Sequence, residues 1–103
     1  MTKQEVHEII KAKAAEHGFN AEETNWGING LAIRDEDHTV NFTISEDWNW
    51  EERKVTLQIR ASIATMGGNP SVDDLLKAAD TIKRAAELVT SLEAENLTYT
   101  EEF

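Results

Sequence analysis

The chain has 103 residues, no cysteine, and 20 Asp and Glu against 10 Lys and Arg, a formal charge of -10. That length fits one compact domain with a single core. The charge works against direct binding of nucleic acid or anionic membrane, which rests on cationic contacts to phosphate, and the missing cysteine excludes disulfides, thiolate zinc sites and cysteine nucleophiles.

The first segment carries a T-x-x-E capping box in Thr2 and Glu5, followed by Val6, Ile9, Ile10 and Ala14 at helical spacing. Gly18 offers a positive-φ stop and Phe19 a residue to fold back on the last turn, which predicts a helix over 2–17. Residues 20–27 read as a loop. Leu31 and Ile33 alternate with Ala32 and Arg34, predicting a strand over 30–35. Val40, Phe42 and Ile44 alternate with Asn41, Thr43 and Ser45, predicting a second over 39–46. The third, over 53–65, alternates longest: Val55, Leu57, Ile59, Ala61 and Ile63 face one way, Lys54, Thr56, Gln58, Arg60 and Ser62 the other. Gly67-Gly68-Asn69-Pro70 breaks the chain, and Ser71 with Asp74 caps a second helix over 71–95. Its expected buried stripe is Leu75, Leu76, Ala79, Ile82, Ala86, Val89 and Leu92, and its length suggests that its end projects as an interaction surface. In the tail, 96–103, Leu97, Tyr99 and Phe103 either pack back or leave the segment loose.

These elements predict an α+β fold in the order α-β-β-β-α, a three-stranded antiparallel meander with both helices on its apolar face. The order resembles that of double-stranded RNA-binding domains. Those domains place a basic cluster at the start of the final helix, whereas this one begins Ser71-Val72-Asp73-Asp74-Leu75-Leu76-Lys77, which has the wrong sign.

The acids gather where the chain turns: Glu22-Glu23, Asp35-Glu36-Asp37, and Glu46-Asp47-Trp48-Asn49-Trp50-Glu51-Glu52. Consecutive turns of a meander lie at opposite ends of the sheet. Asp35–Asp37 is thus expected beside the start of the second helix, with Asp73 and Asp74. Glu22, Glu23 and the 46–52 turn are expected together at the other end with Glu93 and Glu95, flanked by Trp26, Trp48 and Trp50. Trp48 and Trp50 continue the phase of Val40, Phe42 and Ile44. A strand running that far turns both inward, while a loop leaves both exposed among acids, a common hot-spot composition. Glu22, Glu23, Asp35, Glu36, Asp37, Glu46, Asp47, Trp48, Trp50, Glu51 and Glu52 form the candidate partner-binding set.

No catalytic, cofactor or metal residues are assigned. His7-Glu8 begins like a zincin helix, but position 11 is Lys, and His7, His17 and His38 read as surface histidines. Asp35, Asp37 and His38 lack EF-hand spacing, and Gly67-Gly68 lacks the Lys and Ser/Thr of a phosphate loop. A catalytic carboxylate pair needs a cleft that perturbs its pKa values, and a small one-sided sheet offers little depth. No apolar run approaches the roughly 20 residues of a membrane span and the N-terminus does not resemble a signal peptide, so a cytoplasmic protein is expected.

In size, acidity and lack of cysteine the chain resembles the small inhibitors that phages carry against host restriction or CRISPR nucleases, without sharing a motif with them. The resemblance implies a non-enzymatic protein whose carboxylates occupy the phosphate sites of a basic, nucleic-acid-binding partner. The alternative is an assembly module, a homodimer formed through the polar sheet face or the long second helix.

Overall fold

The computed structural model describes residues 1–24, 30–64 and 68–100. Helix α1 spans Lys3–Glu16. Thr2 Oγ1 accepts the Glu5 backbone N–H at 3.1 Å, satisfying one of the donors that a helix start leaves free. The helix ends in a Schellman arrangement: Gly18, at φ +79, donates its N–H to the Ala15 carbonyl, and Phe19 donates to the Ala14 carbonyl at 2.8 Å. Phe19 is thereby turned into the core.

The chain then enters a strand, not the expected loop. Strand β1 (Asn20–Glu23) pairs antiparallel with β2 (Leu31–Arg34) from Asn20↔Arg34 to Glu23↔Leu31. It carries no apolar alternation because it is a sheet edge of four residues that buries little. β2 meets β3 (Val40–Asn49) at Arg34↔Asn41 alone, so the β1–β2 hairpin diverges and the sheet curls. β3 and β4 (Lys54–Ile63) pair over their full length, Val40↔Ile63 to Asn49↔Lys54. The described part of the tail packs back: β5 (Thr98–Thr100) lies against β4 from Lys54↔Thr100 to Thr56↔Thr98. The α+β class holds, but the antiparallel sheet has five strands in the order β1-β2-β3-β4-β5, where the sequence predicted three. Phe103 lies outside the described residues.

Helix α2 (Val72–Glu95) starts with a complete capping box, Asp74 N–H to Ser71 Oγ at 3.1 Å and Ser71 N–H to Asp74 Oδ2 at 3.0 Å. Its buried stripe is Ala78, Thr81, Ala85, Leu88 and Leu92, rotated from the expected one. Leu75, Leu76, Ala79 and Ala86 are exposed. The projecting end is the first one: Val72 is 72% exposed and Leu76 64%. The last turn is held down by Leu92, by left-handed Asn96 and by the buried Leu97.

One core joins Val6, Ile10 and Ala14 of α1, Ala85, Leu88 and Leu92 of α2, and the inner sheet face with Ile33, Val40, Ile44, Val55, Leu57 and Ile59. Ala61 and Ile63, expected inside with that row, are exposed, because the covered face ends at Ile59. His7, expected at the surface, is buried on the α1 stripe. Lys13 ties the helices together through Ser91 (3.0 Å) and Glu95 (3.3 Å). Arg84 donates to the His17 carbonyl at 2.9 Å and lies over the Phe19 ring. Among the described residues, no helix is long and apolar enough to cross a membrane.

Candidate functional site

The β3–β4 hairpin brings the tryptophans and the third acidic run together. Strict alternation along β3 puts Ile44, Glu46 and Trp48 on the inner face and Ser45, Asp47 and Asn49 outside. The strand runs to Asn49, and Trp50-Glu51-Glu52-Arg53 forms the turn before β4. Arg53 adopts a left-handed φ of 54, closing the turn without glycine. Asn49 Oδ1 accepts the Glu52 N–H at 3.2 Å, a side-chain bond that fixes the loop.

Neither expectation for the tryptophans holds for both. Trp48 points inward, half-buried against the core opposite Val55. Trp50 is past the end of the strand and 70% exposed. The two indoles stack, centroids 5.1 Å apart and planes at 18°, so Trp50 is mounted on a side chain that is itself fixed. Glu46 does the fixing. One carboxylate oxygen accepts the Trp48 indole N–H at 3.1 Å, and the other accepts the Tyr99 hydroxyl at 3.2 Å. Glu46 is therefore a half-buried brace inside the sheet and not a loop-tip acid. Glu51 and Glu52 are exposed in the turn that carries Trp50, with the Glu52 carboxylate 3.8 Å from Lys54, while Asp47 is exposed on the opposite face of β3.

The remaining candidates lie elsewhere. β1 packs on β2 and α1, so Glu22 and Glu23 do not join the hairpin. Glu22 lies 3.9 Å from Arg34, and Glu23 pairs with Lys11 at 3.0 Å. The Lys11 hydrogen bond holds the Glu23 carboxyl below its ordinary pKa and raises that of Lys11. The α1 exit also changes ends: the Asn20↔Arg34 pairing sets it beside the 35–39 turn. Within that turn Glu36 and Asp37 are exposed, but Asp35 is only 6% exposed. Its two oxygens accept the backbone N–H groups of Thr39 (3.0 Å) and Val40 (3.1 Å), so it staples the turn and has no free face for a partner. Burial alone pushes the Asp35 carboxyl up, yet the bonds from Val40 and Thr39 outweigh it and the net shift is downward. Trp26 lies outside the described residues.

Sequence reasoning missed Tyr99, which it left in an ambiguous tail, although it is the side chain that anchors Glu46. The available signal was Glu46 itself: an acid in the inward phase of a strand requires a buried partner. Among the described residues, no three metal-ligating acids or histidines converge. No protein-family model, curated protein or solved structure matches the chain.

Proposed function

We propose that this is a non-enzymatic interaction protein whose β3–β4 hairpin tip engages a basic partner. The observation that carries this reading is Trp50, 70% exposed and stacked on a braced Trp48. An indole left in water contributes little to folding, while an aromatic face with few rotamers to lose is a strong anchor for a partner. Beside it Glu51 and Glu52 supply negative charge, and Asp47 adds to the field of the tip from the other face of the hairpin. Aromatic face and carboxylates together suit an arginine or lysine, which gains a cation–π contact as well as an ion pair.

In its sharper form the partner is a nucleic-acid-binding protein, such as a nuclease, and the protein is an inhibitor whose carboxylates stand where phosphates would. DNA presents one charge per ~1.7 Å of axis, so the acids of the tip act together and not singly. The reading is tested by pull-down from the native host at low salt, with elution by a salt gradient and Trp50→Ala in parallel. The native chain is expected to retain a basic protein that salt releases. Trp50→Ala is expected to weaken that binding by about thirtyfold or more, the scale of a hot-spot loss of ≥ ~2 kcal/mol, while its melting temperature stays near the parent's. Equal capture by both chains, or no basic protein held at low salt, would reject the site.

A further inference from the structure

The sheet has an edge that its own strands leave open. β5 covers β4 only at Lys54–Thr56, and one further bond, Leu57 N–H to the Leu97 carbonyl at 2.9 Å, ends the cover. From Gln58 to Ile63 no described strand lies on that side. The direction of the backbone groups there follows from two bonds. Leu57 donates toward β5, whereas Ala64 donates to the Thr39 carbonyl at 2.8 Å, toward β3. Because alternate residues of a strand bond to opposite neighbours, Ile59, Ala61 and Ile63 direct N–H and C=O out of the open edge.

Open edges are normally blunted by charge, proline or a bulge. Here Arg60 is the one charged residue between Gln58 and Ile63, and there is no proline. Ile63 is 62% exposed. Beside the edge a cavity of ≈ 390 Å³ is lined by Ala61, Ile63, Ile82, Ala86 and Val89, among others. It opens between the edge and the exposed α2 stripe that begins at Leu75.

We propose that this edge pairs antiparallel with the same edge of a second copy of the chain, joining two five-stranded sheets into one. The self-complementarity of the edge selects this occupant. With the two-fold axis at Ala61, each Ala61 faces its counterpart in a position where both exchange N–H···O bonds, and Ile59 faces the second copy's Ile63. Arg60 faces the second copy's Ser62, so no like charges are directly opposed, and no carboxylate lies on the edge of a chain whose net charge is -10. The same axis, normal to the sheet, sets the two α2 helices antiparallel on one face. Ala79 and Ala86 are small enough there to allow the 8–10 Å approach of packed helices. The pairing covers Ile63 and the cavity together, and it leaves the Trp50 tip, at the opposite end of β4, free.

The test is sedimentation velocity of the full chain from micromolar to millimolar concentration and at two salt concentrations, with Ala61→Pro and Ile63→Lys in parallel. The native chain is expected to reach twice its 11.6 kDa mass. Added salt is expected to favour the dimer by screening two acidic bodies, opposite to the salt release expected for a basic partner. Ala61→Pro removes an N–H that the sheet itself does not use, and Ile63→Lys opposes a charge to Ile59. Each variant is expected to sediment as a monomer with the parent's far-UV circular dichroism. If the proline unfolds the chain, Ile63→Lys decides. A native chain that stays monomeric at millimolar concentration, or a dimer that folded variants leave intact, overturns the proposal.

Discussion

Replacing Tyr99 by alanine is expected to lower the unfolding free energy by about 3–5 kcal/mol, the cost of truncating a large buried aromatic. Tyr99 is 2% exposed and is the largest of the fully buried side chains. It sits opposite Val55 in the middle of β5, so its ring is what binds that short strand to the core. Its hydroxyl also donates to Glu46, and truncation leaves that carboxylate half-buried with only the Trp48 indole of its two ring partners. For a domain with a total stability of roughly 5–15 kcal/mol such a loss is a large fraction. Tyr99→Phe separates the two contributions: it keeps the ring and is expected to cost about 1–2 kcal/mol through the lost bond to a charged acceptor. Urea titration of both variants measures this. A loss below about 1 kcal/mol for the alanine variant would mean that β5 is not docked as described.

Asp35→Ala is the second large effect, expected at about 2–4 kcal/mol near neutral pH, because the Thr39 and Val40 amides lose charge-assisted acceptors and Val40 is fully covered. The effect depends on pH with a definite sign. Folding lowers the Asp35 pKa from its ordinary 3.8, so the unfolded chain takes up the proton more readily. The contribution of the carboxylate is fully present above that value and is lost as pH falls through the lower pKa of the folded state. Asp35→Asn is therefore expected to be less stable than the parent at neutral pH and to converge on it in acid. Thermal unfolding across a pH series gives the comparison, and a constant gap between the two down to the lowest pH would contradict the staple.

Much of this was legible in the sequence because the signals were local. The side-chain cap at Thr2, the capping box at Ser71, the glycine stop at Gly18 and the period-two alternation of β3 and β4 depend on neighbours only. What escaped was set by tertiary position. β1 and β5 are edge strands too short for a pattern of their own, and they exist because β2 and β4 offer them a ladder. α2 carries two apolar stripes at helical spacing, one through Leu75, Ile82 and Val89 and one through Ala78, Ala85 and Leu92. Periodicity cannot rank them; where the helix meets the sheet does. The acidic runs misled for a related reason. Composition treats Asp35, Glu46 and Glu51 alike, whereas the backbone turns the first onto two amides, the second onto two ring donors and only the third toward solvent.

The half-anchored second helix gives the molecule two clocks. From Ala85 onward the helix is fastened to the core through Ala85, Leu88 and Leu92, and its amides there are expected to exchange slowly with solvent, while the turns around Val72–Leu76 are held by a cap and little else. Short helical segments without packing are marginal in water, so these turns are expected to open locally and more often than the rest of the helix. A second copy lying along the Leu75 stripe would slow that opening. Deuterium uptake at residues 75–79 is then expected to fall as protein concentration rises, while uptake in the exposed 50–53 turn, far from the paired edge, stays unchanged. The loose end of the helix thus reports on how many neighbours the molecule has.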